Sequence, residues 1–268
     1  MACNPLVRKV QHPVTGEDFF YPQSETQDKF ENALSFQAEK DDIFICSYMK
    51  SGTTWLQHIV WLITHHGQEY FKGKLTSSIP FLDFQEPGLA EHMKTNNLTR
   101  IFKTHLPQKW VPYHTEAKYL YVARNPKDIL PSWSNHLQGF EKYAGKDVSV
   151  PTLFKYHMAD EVPYASQVKH IGEWYQKRNE HNVLFLYYKD MKTNPRAEIL
   201  KIANFLNREY GKKLSENDEI LLREIVEKSS FEYMSKLPVQ TWVSFLLTLI
   251  LSYPLKGHVI LFFIQAMA

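Results

Sequence analysis

Two cysteines in 268 residues, Cys3 and Cys46, are too few for a disulfide framework or for a zinc site built on thiolates. Ten glycines leave little material for Gly-rich linkers or repeats. Excess charge of one sign is also lacking. Lys and Arg number 31 against 29 Asp and Glu, and a net charge of +2 excludes a protein whose main task is coating nucleic acid. The opening stretch MACNPLVRKVQHPVTGEDFF has no apolar run of signal-peptide type, so a cytoplasmic location is expected. What the chain does hold is aromatic and apolar material: 17 Phe, 15 Tyr and 6 Trp within an apolar fraction of 44%. That excludes disorder for most of its length and supplies a core for one large domain.

Short apolar runs the length of buried strands occur at Ile43–Tyr48, Arg100–Lys103, Tyr119–Ala123 and Val183–Tyr188. Residues 1–40 read as an irregular polar entry with a helical stretch near Thr26–Gln37. Apolar residues at helical spacing follow the first strand (Trp55, Leu56, Ile59, Val60, Ile63), with Gly67 as a stop. Asn125 and Pro126 cap and open another helix. Further helices are expected at Ala159–Asn179, Pro195–Asn207 and Ser215–Lys228, the last with Ser215 and Asp218 as a weak capping box. Strands alternating with helices predict an α/β fold, a central parallel sheet with helices on both faces and a ligand beyond the carboxyl ends of the strands. Lys50, His105, Arg124 and the pair Lys189-Asp190 fall at those ends.

The turn Lys50-Ser51-Gly52-Thr53-Thr54 offers a helix amino terminus, a glycine for close backbone approach, three hydroxyls and an ammonium, a set suited to an anion. The alternative is an ordinary strand-to-helix turn capped by Ser and Thr. The loop is P-loop-like without the Walker spacing, because Lys50 precedes the glycine and no earlier glycine opens it; this counts against a nucleotide kinase. Lys103-Thr104-His105 sets an imidazole beside a cation, either a general base or one more surface histidine among twelve. Arg124, with Ser132 about two helical turns on, reads as a phosphate contact or as a salt-bridged sheet-edge arginine. Tyr188, Ser229, Ser230 and Phe231 carry no signal of their own. No H-E-x-x-H or similar metal-ligand spacing is present, and no metal is expected.

Taken together and in this order, these pieces resemble the cytosolic sulfotransferases, which use 3′-phosphoadenosine-5′-phosphosulfate (PAPS). The family loop T-Y-P-K-S-G-T-T-W corresponds to Ser47–Trp55, K-T-H-L-P to Lys103–Pro107, and Y-V-A-R-N-P-K-D to Tyr121–Asp128 with its serine at Ser132. Y-x-D-M-K corresponds to Tyr188–Lys192, and a serine pair before Phe to Ser229-Ser230-Phe231. The likeness covers roughly residues 30 to 235. It implies a sulfotransferase that moves a sulfuryl group from PAPS, without a metal, to a hydroxyl or amine of a small molecule such as a phenol, alcohol, steroid or amine. It also implies roles. Lys50, Ser51, Gly52, Thr53 and Thr54 would hold the 5′-phosphosulfate, and Arg124 and Ser132 the 3′-phosphate. Trp55, Tyr188, Ser229 and Phe231 would frame the adenine. His105 would be the general base, with Lys50 and Lys103 stabilising charge on the transferring group. Phe81, Phe84, Phe140 and Tyr143 are candidate walls of an acceptor pocket.

Three departures from the family pattern stand out. Met49 replaces the loop proline. Pro131 falls inside the helix opened by Pro126, where it should kink the helix. After about Leu237 the family's R-K-G-x-x-G-D-W-K segment and its K-x-x-x-T-V-x-x-x-E dimer motif are missing, which leaves the oligomeric state open. In their place Trp242–Ala268 carries 19 apolar residues in 27, with Lys256 as the one basic residue and no acidic residue. The expected division is therefore a sulfotransferase domain over 1–237 and a divergent apolar tail over 238–268. The abrupt start favours an alternative carboxyl end on an ordinary body over membrane attachment, against which Pro254, Lys256, Gly257 and His258 split the apolar run, and over a tail packed on surface left bare by the missing segment. The alternative function is a catalytically impaired variant lacking the 3′-phosphate clamp.

Overall fold

The structure, a computed structural model, describes residues 4–70, 75–96, 98–140, 143 and 145–237. The expected apolar tail, 238–268, lies outside the described residues. A hairpin of β1 (Val7–Gln11) and β2 (Asp18–Pro22) precedes α1 (Gln27–Ser35). Next come β3 (Ile43–Ser47), α2 (Thr53–Thr64), α3 (Leu75–Ser78), α4 (Leu89–Thr95) and β4 (Ile101–Thr104). β5 (Lys118–Ala123) leads into α5 (Pro126–Gln138), α6 (Val150–Met158) and α7 (Gln167–Gln176). After β6 (Val183–Tyr187) the chain is helical, through α8 (Tyr188–Thr193), α9 (Pro195–Leu206), α10 (Arg208–Ser215), α11 (Ile220–Lys228) and α12 (Phe231–Lys236).

β3 to β6 form one parallel sheet in the order β4-β3-β5-β6. Its strands are apolar almost without a break because both faces are covered. Side chains alternate across it: Phe44, Cys46, Phe102, Tyr119 and Tyr121 enter one core with the hairpin, α1, α5 and α7. Ile43, Ile45, Ile101, Leu120, Val122 and Leu186 enter the other with α2, α9 and α11. The expected parallel sheet with helices on both faces is therefore the observed one. Register sets the strand ends side by side: Cys46 pairs with Thr104, Ser47 with Val122, and Ala123 with Tyr187.

The amino-terminal reading is corrected. Residues 7–22 form an antiparallel hairpin, with Val7 paired to Pro22 and Gln11 to Asp18, and not an irregular entry. The long helix expected over Ala159–Asn179 starts only at Gln167, capped by the Ser166 side chain on the Lys169 amide. Tyr164 and Ala165 adopt positive φ values of 67° and 55°, and the Tyr164 amide donates to the Phe20 carbonyl at 2.8 Å, so this segment docks on the hairpin instead of coiling. Ser215 closes α10 with its hydroxyl on the Gly211 carbonyl, and Asp218 sits at φ 54°, so the two form no capping box. α5 runs through Pro131 as one helix. Among the described residues, no helix is long and apolar enough to cross a membrane.

Candidate functional site

The four parallel strands deliver their chemistry at one edge. After β3 the backbone turns sharply: Lys50 takes φ 62° and Gly52 φ 99°. Gly52 precedes α2 and offers no side-chain cap, so the first amides of Thr53, Thr54 and Trp55 are not used by a capping side chain. The first helical bond of the turn runs from the Leu56 amide to the Gly52 carbonyl, 3.0 Å. Two constraints demand glycine at position 52. Its φ is left-handed, and a Cβ there would meet Tyr188 Cδ2 at 2.6 Å. The ring of Tyr188, first residue of α8, thus lies against the loop.

The polar groups around this turn are built to receive a charge from outside. The Ser51 hydroxyl is fully buried and has no hydrogen-bond partner among the described residues; the same holds for Arg124 Nε. Orphaned buried donors are rare and mark a missing acceptor. Arg124 Nη1 donates to the Lys50 carbonyl at 3.3 Å, and its guanidinium lies 4.3 Å from the Tyr188 ring centroid. Lys50 is half-buried; burial first, then the charges of Lys103 and Arg124, pull its ammonium down to about 7. Burial pulls Lys103 down to about 8, and its ammonium sits 4.0 Å over the Phe81 ring. Lysines held below their ordinary range in this way are what a bound polyanion would recharge.

His105, directly after β4, is buried at 6% exposure. Its Nδ1 lies 2.7 Å from the Ser47 carbonyl and 3.2 Å from the Ser47 hydroxyl. A carbonyl only accepts, so Nδ1 carries the proton and the neutral ring has its lone pair on Nε2. The Ser47 hydroxyl also shares a 2.5 Å bond with Thr53 Oγ1, which links the imidazole to the first residue of α2. Burial, with Lys103 nearby, holds the imidazole well below the usual histidine range, so it is neutral at pH 7. Nε2 is thus free of a proton where a base is needed.

The remaining expected residues divide. Trp55 joins the site, its indole donating to the Ser229 carbonyl at 2.8 Å and its ring 5.6 Å from that of Tyr188. Ser132 is buried on α5, and Phe231 opens α12 at 37% exposure; neither is hydrogen-bonded to the loop among the described residues. Of the expected pocket walls, Phe81 lies 5.0 Å from His105 and 4.1 Å from Phe84, while Phe140 and Tyr143 pair at 6.3 Å. Sequence reasoning missed Asp83. The Phe81–Lys103 bridge and the Lys103 amide bond to Pro80 extend the sheet past β4 and bring Asp83 alongside His105. Asp83 Oδ2 accepts from the His105 amide at 2.9 Å and Oδ1 from the Thr104 hydroxyl at 2.5 Å. Burial raises its carboxyl to about 6.

Comparison with known proteins agrees with this geometry. The family model described as the sulfotransferase domain matches residues 40–246. Dog sulfotransferase 1B1 is 35% identical over 221 residues, 78% of this chain and 71% of the relative. Human sulfotransferase 1C2 is 33% identical over 225 residues, covering 81% and 73%. Among solved structures, mouse sulfotransferase SULT7A1 complexed with PAP superposes with a TM-score of 0.65 at 24% identity, covering 86% of this chain and 76% of that one. Retinol dehydratase in a complex with retinol and PAP gives 0.69 at 20% identity, covering 89% and 78%. At those identities the two structures speak for the fold, and the sequence matches speak for more: the chain belongs to the sulfotransferase family.

Proposed function

We propose that the chain moves a sulfuryl group from PAPS to a hydroxyl or amine of a small molecule in the cytoplasm, with His105 as general base. The observation that carries this is one linkage. Through Ser47 and Thr53, the imidazole with its unprotonated Nε2 is tied to a loop whose buried Ser51 hydroxyl has no partner among the described residues. The donor set fits PAPS. Lys50, Ser51, the amides of Thr53 and Thr54 and the Gly52 turn suit the 5′-phosphosulfate, and Arg124 with Ser132 suits the 3′-phosphate. Trp55 and Tyr188 offer aromatic faces for the adenine, and the Trp55 indole bonds the carbonyl of Ser229, two residues before Phe231. The neighbouring solved structures are described as bound to PAP, and to androsterone or retinol in retinol dehydratase, which supports an alcohol or phenol acceptor next to Phe81 and Phe84.

Bound PAPS supplies the sulfuryl group: the acceptor oxygen or nitrogen forms a bond to sulfur while the bond from sulfur to the 5′-phosphate oxygen breaks and releases 3′-phosphoadenosine 5′-phosphate (PAP). His105 Nε2 takes the acceptor's proton. The ring is neutral, and Ser47 pins its other nitrogen as a donor. Lys50 and Lys103 neutralise charge on the peripheral and leaving oxygens, which is where in-line transfer needs it.

A second reading has its own observation. Beyond Lys236 the sequence carries a single lysine and no arginine, so a form impaired in holding the 3′-phosphate is the rival. Calorimetric titration with PAP and turnover of PAPS with 4-nitrophenol separate the two. Saturable PAP binding with turnover that His105→Ala lowers by about a hundredfold or more, at unchanged PAP affinity, is expected of the enzyme. No PAP binding supports the impaired form, and parent-like turnover in His105→Ala removes His105 as base.

A further inference from the structure

The peptide unit of His105 is gripped from both sides by side chains remote in sequence. On the amide side stands Asp83, fully buried, accepting from the His105 amide at 2.9 Å and from the Thr104 hydroxyl. The Thr104 hydroxyl in turn accepts from the Leu106 amide at 3.0 Å, so the carboxylate organises three consecutive residues. The Tyr21 hydroxyl donates to the Asp83 carbonyl and anchors that residue to the hairpin. On the carbonyl side stands His170 of α7, 1% exposed. Its Nε2 donates to the His105 carbonyl at 3.0 Å, because a carbonyl cannot donate. With Nε2 protonated, the neutral ring has its lone pair on Nδ1, and the Tyr121 hydroxyl supplies the donor at 2.8 Å.

A histidine is a costly choice for this place. It sits among Tyr48 and Tyr121, with ring centroids 5.6 and 5.7 Å away, in a core where an apolar side chain would pack without desolvating two nitrogens. Burial drives its basicity down so far that it stays neutral in the physiological range. It therefore contributes no charge to the site. What it adds over leucine is direction: one bond on each nitrogen, the carbonyl able only to accept from Nε2 and the Tyr121 hydroxyl thereby left to donate to Nδ1. One of these bonds ends on the residue that carries the proposed base.

We propose that His170 is a positioning residue for the sulfuryl-transfer reaction. Its Nε2–H, oriented by the Tyr121 hydroxyl, holds the His105 carbonyl while Asp83 holds the His105 amide. The peptide geometry at residue 105, and with it the Nδ1–H bond to Ser47, is thereby locked. This inference rests on the reading of His105 as general base. The reacting atoms never touch His170. Its loss acts by loosening the imidazole, and misplacement of a reacting group by about 1 Å can cost on the order of a hundredfold in rate.

The test uses the full chain and four variants: His170→Leu, His170→Gln, Tyr121→Phe and His105→Ala. Kinetics with PAPS and 4-nitrophenol are paired with PAP titration and with nitrogen NMR of histidine-labelled protein, which reads the tautomer of His105 directly. The parent is expected to show His105 protonated at Nδ1. His170→Leu should lower kcat by about ten- to a hundredfold at unchanged KM for PAPS and unchanged PAP affinity, and the His105 signal should become a mixture of tautomers. His170→Gln, which keeps a side-chain N–H donor, should recover most of both, and Tyr121→Phe should fall between. A purely structural histidine would give losses in kcat, PAP affinity and thermal stability together, without rescue by glutamine, and that pattern overturns the inference. So does a parent-like kcat and tautomer in His170→Leu. If His105→Ala alone keeps turnover, the assignment of the base fails instead. The tautomer signal reports on the clamp even where a variant turns over nothing.

Discussion

Lys50 and Lys103 stand at neighbouring strand ends, and in the free protein each is a weaker base than an exposed lysine. Burial lowers both, and Lys50 also feels the charges of Lys103 and Arg124, so that they titrate at about 7 and about 8. At pH 8 such groups are about nine-tenths and about half neutral respectively. A bound polyanion favours the charged form of each, which raises both values and draws protons from solution. PAP binding at pH 8 is therefore expected to take up roughly one proton or slightly more per site. Its affinity should decline as pH rises from 7 towards 9. Titration calorimetry in two buffers of different ionisation heat measures the uptake. Lys50→Arg, which keeps the charge at all these pH values, should remove most of it. No uptake at pH 8 would place the ammonium groups away from the anion. Lys50 and His105 were legible in the sequence because their neighbours form local motifs at strand ends. Asp83 and His170 were not. They lie 22 and 65 residues from His105, and only strand register and the docking of α7 bring them to it. A lone Asp in a short apolar segment and a lone His in an amphipathic helix carry no local mark of that meeting.

At the scale of elements, α5 is instructive because Pro131 stands in its second turn and the helix continues past it. The proline has no N–H to give the Lys127 carbonyl, and its ring crowds that turn. Pro131 itself is exposed, so its side chain contributes little packing. Pro131→Ala is expected to stabilise the chain by about 1–3 kcal/mol, read as a rise in Tm and in the denaturation midpoint. Unchanged or lower stability would mean that the proline's restriction of the unfolded chain outweighs the lost bond. The four buried strands and α2, α5 and α9 were legible because each has the period, cap or length of its type. Two pieces were not. β1 buries Val7 and Val10, three residues apart, with Arg8 and Lys9 between them, so strict alternation is broken and the hairpin leaves no clean two-residue period. The stretch before α7 has helix-compatible residues on either side of Pro163. Its course is decided by Tyr164, whose amide is claimed by Phe20 of β2, and a contact of that range has no local signature.

The whole molecule carries an acid response set by histidines that must stay neutral to remain folded. His58 of α2 is buried, with Nε2 on the Lys228 carbonyl at 2.9 Å and Nδ1 on the Tyr70 hydroxyl, and burial lowers it to about 4. His170 is lowered to about 4 by the same cause, and His105 lies well below its ordinary range. In the unfolded chain each would take up a proton near pH 6.5. Below that pH the unfolded state binds more protons than the folded one. The stability these groups provide is therefore complete above about 6.5 and is lost as pH falls towards 4. By pH 5 the loss is on the order of 2 kcal/mol for each of His58 and His170. Asp83 acts in the opposite sense. Its carboxyl is raised to about 6, so the folded state holds a proton that the unfolded state has released, and by pH 5 it returns about 1–1.5 kcal/mol. The carboxylates lowered by surface partners, Asp18, Glu39 and Glu116 among them, have ordinary values near 4, so their contribution is lost below this window. His58 and His170 against Asp83 leave a net loss of about 2–3 kcal/mol, and His105 adds to it, so Tm is expected to fall by at least roughly 5–10 °C between pH 7.5 and pH 5.0. Thermal melts across that range check it. His58→Gln, whose amide can still bond at that place but cannot take a proton in this range, should remove about 2 kcal/mol of that loss and flatten the slope accordingly, even if its Tm at pH 7.5 is lower. A slope unchanged in His58→Gln would assign the acid response to other groups.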